Sequence, residues 1–247
     1  MIKDKFIHLI NIKNEHFTNV NLLSWLKHNK DWKCMKWNSK MIINLIKLNY
    51  PKIYNYYIKV DENKKKELAS YIILFHFGGI YINSDLICLK PLSKLIHFFR
   101  KYNVILSKYP NPNFFEKIYY ECIGIKNLNY IISNEIMISK KNNYFWKMLL
   151  DNIIDMSTKK STGYVILSNF YFKNKVKFND IVVANNNFLI PCNKFSKNCD
   201  SKLSYSKHAK NNNFLNINYL YYNYFRNIKK LLIFTVFIVI IINIILI

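Results

Sequence analysis

The chain has 247 residues, of which 51% are hydrophobic, and it carries 37 Lys+Arg against 14 Asp+Glu for a formal net charge of +23. With four Gly and five Pro it is neither collagen-like nor disordered, because its apolar content is ample for a core. Five Cys, an odd number without a Cys-x-x-Cys, favour neither a zinc site nor a full disulfide framework.

The charge is almost wholly lysine, since Arg100 and Arg226 are the only arginines. Specific nucleic-acid readers lean on arginine for bidentate contacts, and these lysines are scattered apart from Lys64–Lys66 and Lys229–Lys230. A nucleic-acid partner is therefore not expected. The weakest alternative reading of the chain is a basic membrane protein associated with nucleic acid.

In chain order, Phe6–Ile10 reads as a first strand. Asn21 is placed to cap a helix through Asn29, and Trp32–Trp37 reads as a second strand. Asn38 and Ser39 offer caps for an amphipathic helix to Leu48, closed by Pro51. Asp61 caps a helix whose apolar side holds Leu68, Tyr71, Ile72 and Phe75, and Gly78 ends it. Gly79–Ile82 reads as a short buried strand, Ile136–Ser139 as another, and Tyr144–Met156 as a helix; from Phe178 the pattern is irregular and Asn-rich. Alternating strands and helices imply an α/β domain.

The C-terminal end differs. Leu231–Ile247 carries no charge and makes about 26 Å of helix, the lower limit for a transmembrane span. Tyr219, Tyr221, Tyr222, Tyr224 and Phe225, then Arg226, Lys229 and Lys230, precede it as a membrane-entry pattern. The expected organisation is a domain over 1–215, an aromatic and basic juxtamembrane segment over 216–230, and a C-terminal anchor over 231–247. The simplest topology is a tail anchor with the domain in the cytosol, the secretory lumen being the alternative.

The most informative stretch is ELASYIILFHFGGIYINSDLICLKPL, Glu67 to Leu92. A helix runs into Gly78-Gly79, and the following strand delivers Asn83-Ser84-Asp85 to its end, where open α/β sheets bind ligands. Oxygen-bearing side chains at i and i+2 of an extended segment point the same way and suit one hard divalent cation beside a diphosphate. Taken by itself the signal is modest, because Asn-Ser-Asp also suits an ordinary turn.

This stretch resembles the DxD-containing sugar-binding region of glycosyltransferase family 32, a group that includes initiating α-1,6-mannosyltransferases and inositol-phosphoceramide mannosyltransferases. Tyr71, Leu74, Gly78, Gly79, Tyr81, Asp85, Lys90, Pro91 and Leu92 fall on the family pattern in register. Phe6–Ile10, Ser24-Trp25, Trp32–Trp37, Asn134–Met137 and Ser161-Thr162-Gly163 resemble further family segments. The resemblance implies a GT-A type, Rossmann-like nucleotide-diphospho-sugar transferase domain, and retaining transfer of a hexose to a lipid or glycan acceptor with Mn²⁺ or Mg²⁺. Mannose from GDP-mannose is favoured, with a UDP-hexose as the alternative donor.

The resemblance also assigns roles. Asp85 falls on the metal-binding position, with Asn83 and a late His208 beside it. Asn11, Glu67, Ser70, Gly79, Tyr81 and Asn83 fall around the donor, and Glu135 is a candidate for sugar or acceptor contact. His8 and His76 are expected to serve structure. Three positions depart from the pattern: Glu67 and Ser70 stand where relatives have Asp and Arg, and Asn83 replaces the first Asp of the DxD. These departures motivate a second reading, an inactive member that binds a nucleotide sugar or glycan without turnover. They also leave a diphosphate-neutralising charge to be supplied by a lysine that the sequence does not identify.

Overall fold

The computed structural model describes residues 5–12, 19–110, 130–155, 163–192 and 199–209, all within one compact unit, Met1–Ala209. The strands are β1 (Phe6–Asn11), β2 (Lys33–Asn38), β3 (Gly79–Ile82), β4 (Leu86–Cys88), β5 (Val104–Lys108), β6 (Ile132–Ser139), β7 (Ile181–Ala184) and β8 (Ser206–His208). The helices are α1 (Asn19–His28), α2 (Ser39–Asn49), α3 (Pro51–Tyr57), α4 (Glu62–Phe77), α5 (Leu92–Phe98), α6 (Tyr144–Asp155), α7 (Gly163–Asn174) and the single turn α8 (Asn186–Leu189).

Among the described residues, six strands form one mixed sheet in the order β2-β1-β3-β6-β5-β7, and β4 pairs with β8 in a separate ribbon. β1 runs parallel to β2 and β3, β6 is antiparallel to β3 and β5, and β7 is parallel to β5. Alternation along the strands divides the core in two. Ile7, Leu9, Ile80, Ile82, Ile105, Ile136 and Ile138 pack on one face with Trp25, Leu92 and Leu189. Ile10, Tyr81, Val104, Leu106 and Met137 pack on the other with Ile42, Ile72, Trp146 and Leu167. Covering both faces explains why these strands read as nearly continuous apolar runs.

The middle of α4 is buried from Leu68 to Leu74, so this helix is sandwiched rather than laid on the surface. Asp61 caps it by accepting from the Lys64 N–H, and Gly78 ends it at φ 67°, a left-handed conformation open to glycine. Asn38 caps α2 through the Met41 N–H, and Pro51 then opens α3 at a position where its missing N–H is not needed.

Several expectations are corrected. Asn21 is no cap; it lies inside α1 and donates from Nδ2 to the Ser84 carbonyl at 2.8 Å. β6 begins four residues earlier than the expected strand, at Ile132. The region after Phe178 is not wholly irregular, because β7 closes the sheet against β5 there. The described residues include one disulfide, Cys192–Cys199, which is not the full framework that the sequence disfavours. Among the described residues no helix is long and apolar enough to cross a membrane. The predicted span at 231–247, the 216–230 segment and the domain end at 215 lie outside the described residues, as do Ser161 and Thr162.

Candidate active site

The site is built at the end of β3. Because β1 lies between β2 and β3 and runs parallel to both, Asn11, Asn38 and Asn83 come to the same edge of the sheet, the edge where open α/β sheets hold ligands. Gly79 makes this closeness feasible: its φ is 86°, and a Cβ there would stand 2.5 Å from the Phe6 carbonyl oxygen. Its role is thus to let β3 lie against β1.

Asn83-Ser84-Asp85 is a turn and not an extended segment, a correction to the i, i+2 geometry expected from sequence. The Leu86 N–H donates to the Asn83 carbonyl at 3.1 Å, and the Ser84 N–H donates to Asn83 Oδ1 at 2.8 Å. The turn is anchored from three sides. The Asn83 N–H donates to the Glu135 carbonyl at 2.7 Å, Asn21 holds the Ser84 carbonyl, and Trp25 Nε1 donates to the Leu86 carbonyl at 2.9 Å. Asp85 Oδ1 accepts from Ser84 Oγ at 3.3 Å.

The β4–β8 ribbon brings the far end of the described chain here. Leu86 pairs with His208, and the Ala209 N–H donates to the Asp85 carbonyl at 2.8 Å. His208 Nε2 then lies 3.3 Å from Glu135 Oε2, with both side chains largely buried. His208 Nδ1 is buried without a hydrogen-bond partner. Tyr81, buried beneath, has its phenol pushed far above the usual range by burial and by the carboxylates of Glu67, Asp85 and Glu135.

Of the residues singled out in the sequence, Tyr81, Asn83, Asp85, Glu135 and His208 share this corner, and Asn11 sits at the same sheet edge. Glu67 and Ser70 are engaged otherwise. Glu67 Oε2 accepts from the Gly163 N–H at 2.6 Å and Oε1 from Asn134 Nδ2 at 3.4 Å. Burial outweighs both bonds and raises its carboxyl to about 7. The Ser70 hydroxyl is turned back onto the Glu67 carbonyl at 2.7 Å. His8 is structural, bonded to Gly78 and Trp37, and His76 bonds the Tyr50 hydroxyl at 3.0 Å.

Lys66, which the sequence did not single out, donates from Nζ to Asn83 Oδ1 at 3.0 Å. Its signal was available: it lies four residues before Ser70, on the same face of α4. A cavity of about 680 Å³ lined by Trp32, Phe98, Phe188 and Tyr205 contains none of the strand-end residues, so it is not this site.

Among the described residues no three His, Cys, Asp or Glu converge as a ready metal cluster. The donors present nevertheless fit a divalent ion completed by a diphosphate. Asp85 supplies hard oxygen, and the adjoining His208 has a buried ring nitrogen without a partner. Asn83 fits less well, its side-chain oxygen already accepting from Lys66 and Ser84.

Residues 17–109 match the family model described as the glycosyltransferase sugar-binding region containing the DXD motif. Over 69 residues the chain is 30% identical to inositol phosphoceramide mannosyltransferase 1 of Schizosaccharomyces pombe, covering 26% of this chain and 21% of that protein. It is 28% identical over 190 residues to an uncharacterized glycosyltransferase of Acanthamoeba polyphaga mimivirus, covering 70% of this chain and 66% of the relative. The chain thus spans about a fifth of the first relative and just under two thirds of the second. Among solved structures it resembles mouse xyloside xylosyltransferase 1 in its apo form at a TM-score of 0.54 and 10% identity, covering 85% of this chain and 98% of that one. It also resembles a glycosyltransferase involved in glycosylation of the major capsid of PBCV-1 at a TM-score of 0.50 and 9% identity, covering 82% and 92%. The fold is the mixed α/β fold of GT-A glycosyltransferases, and within it residues 17–109 are similar to a glycosyltransferase sugar-binding region.

Proposed function

We propose that the chain transfers a hexose from a nucleotide sugar to a lipid or glycan acceptor with retention at the anomeric carbon, using Mn²⁺ or Mg²⁺. The observation that carries this reading is the β4–β8 pairing, which sets His208 opposite Leu86 and the Ala209 N–H on the Asp85 carbonyl, and so brings His208 beside Glu135 at the end of β3. Asp85 and His208 would hold the ion. A bound divalent cation supplies charge stabilisation to the departing diphosphate.

The chain's own residues do the rest by position. The turn at Asn83–Leu86, pinned by α1 and β6, fixes where the donor lies. Glu135, held beside His208, is placed to accept a hydrogen bond from a sugar or acceptor hydroxyl. In the transfer the anomeric carbon–diphosphate bond breaks, a bond to the acceptor oxygen forms on the same face, and the acceptor's proton leaves with the diphosphate. A chain with few carboxylates suits chemistry that depends on preorganised charge more than on a strong base.

Mannose from GDP-mannose is the favoured donor, which the similarity to a mannosyltransferase over 69 residues supports. The apolar run at 231–247 supports attachment to a membrane, and with it a lipid or membrane-borne glycan acceptor. The Cys192–Cys199 bridge supports the secretory lumen over the cytosol, because disulfides persist in oxidising compartments. Protease protection in sealed vesicles tests that placement.

A second reading, donor binding without turnover, is favoured by the Ser70 hydroxyl being turned onto its own helix. Release of nucleoside diphosphate from GDP-mannose, UDP-glucose, UDP-galactose and UDP-N-acetylglucosamine, with Mn²⁺ and with EDTA, separates the two. Metal-dependent release that Asp85→Ala abolishes supports transfer. Binding without release from any donor supports the second reading.

A further inference from the structure

The cavity of about 680 Å³ that avoids the strand-end turn has a chemistry of its own. Lys5 and Trp32, which stand just before β1 and β2, help to line it, so it lies at the starts of these parallel strands. Asn11 and Asn38 lie at their other ends, about 20 Å away along β1. Trp32, Leu95 and Ile96 are buried in the cavity wall, and the rings of Phe98, Phe188 and Tyr205 continue it. Phe98 stacks on Phe188 with ring centroids 5.8 Å apart, yet 68% of it is exposed. The volume is that of a small-molecule pocket.

The charged groups of this cavity sit at its exposed rim. Asp31, the acid of the lining, is already paired with Lys5. Lys94 precedes Phe98 by four residues and shares its face of α5. Arg100 Nη1 donates to His97 Nε2 at 3.0 Å, and Lys90 Nζ stands 5.8 Å from the centre of the Tyr205 ring. Among the described residues no acid pairs with Lys90, Lys94 or Arg100. An apolar, aromatic interior is thus joined to a cationic mouth.

We propose that this cavity receives an acyl chain of an anionic phospholipid in a bilayer, with the lipid phosphate held by Lys94 and its cationic neighbours. An acyl chain has no hydrogen bonds to satisfy, whereas a peptide in the same space would strand backbone N–H and C=O groups. Aromatic rings flanked by lysines suit the headgroup level of a membrane, and each lysine near an anionic leaflet adds attraction. The contact draws on neither the strand-end turn nor the apolar run at 231–247. It binds the domain itself to the surface, where a terminal anchor would only tether it.

The test mixes the full chain with vesicles of phosphatidylcholine and phosphatidylserine, the acyl chains of one lipid or the other being brominated to quench tryptophan on contact. Trp25, Trp37 and Trp146 are buried in the core, and 231–247 contains no tryptophan, so insertion of that run is silent. Brominated phosphatidylserine is expected to quench more than brominated phosphatidylcholine, and Trp32→Phe to remove most of the effect. Lys94→Ser should raise the phosphatidylserine content needed for half-maximal quenching about fivefold, and Phe98→Ser about tenfold. Both positions are exposed, and thermal melts confirm that the variants are folded. Equal quenching by the two brominated lipids, or phosphatidylserine-selective quenching that both variants retain, overturns the proposal. No quenching by either lipid also overturns it, and leaves the cavity to a second copy of the chain or to an acidic protein.

Discussion

Trp37 Nε1 donates to His8 Nδ1 at 3.1 Å, which leaves His8 Nε2 to carry the imidazole proton to the Gly78 carbonyl at 2.8 Å. One neutral ring thereby ties β2 to β1 and to the junction of α4 with β3. Burial, only partly offset by the Gly78 bond, lowers this histidine to about 4. The unfolded chain thus binds the extra proton more readily, so the contribution is complete above about pH 6.5 and is lost as the pH falls toward 4. His8→Phe should cost roughly 2–4 kcal/mol at neutral pH, because it strands a buried indole N–H and a carbonyl. Urea melts at pH 7 and pH 5 check both claims: the gap between wild type and variant should narrow in acid.

Glu67 gives the opposite slope. Its carboxyl is raised to about 7, so the folded chain holds a proton there that the unfolded chain has released above the usual carboxylate range. Stability from this group is present below about pH 4.5 and declines as the pH rises through 7. Glu67→Gln keeps an acceptor for the Gly163 N–H and should remove that decline, leaving the variant about 1–3 kcal/mol less penalised than wild type at pH 8. Melts of the two proteins compared between pH 5 and pH 8 measure the difference.

Gly79→Ala should be among the most damaging small substitutions. The new methyl would meet the Phe6 carbonyl oxygen at 2.5 Å from a backbone with φ 86°, so neither the contact nor the conformation can relax while β1 and β3 stay paired. A loss of about 3 kcal/mol or more, or failure to fold, is expected. Gly163→Ala provides the contrast. Its methyl meets the movable Glu67 carboxyl and the Asn134 amide, so a cost of about 1–3 kcal/mol should come with loss of the Glu67 pH dependence.

The parts of this fold that were legible in the sequence are those with local causes. Asp61 and Gly78 bound α4 through a cap and a positive φ, and both are written in residue type. β5 and β7 were not legible, since Val104–Leu106 and Ile181–Val183 are short apolar runs whose strand character comes from pairing with each other. The same holds at the site. Asp85 was marked by its motif, but the turn at 83–86 is made by hydrogen bonds from α1 and β6, distant in sequence. Lys66 could have been marked by its place one turn before Ser70, but its contact with Asn83 Oδ1 joins α4 to the end of β3 and shows only in the folded chain.

The pairing of Leu86 with His208 makes a further demand on metal binding. If Asp85 and His208 hold the ion together, with Asp85 the stronger ligand, their losses should not be additive. Mn²⁺ titration of the full chain with GDP present should show binding abolished by Asp85→Ala and weakened roughly 10–100-fold by His208→Ala. Glu135→Gln keeps the shape of the group beside His208 but removes its charge. It should leave Mn²⁺ affinity within about twofold while lowering kcat about 10²-fold or more, if Glu135 meets the reacting sugar or acceptor rather than the ion. A fall in Mn²⁺ affinity for Glu135→Gln as large as that for His208→Ala would instead make Glu135 a support for the metal-binding histidine, acting through the 3.3 Å contact between them.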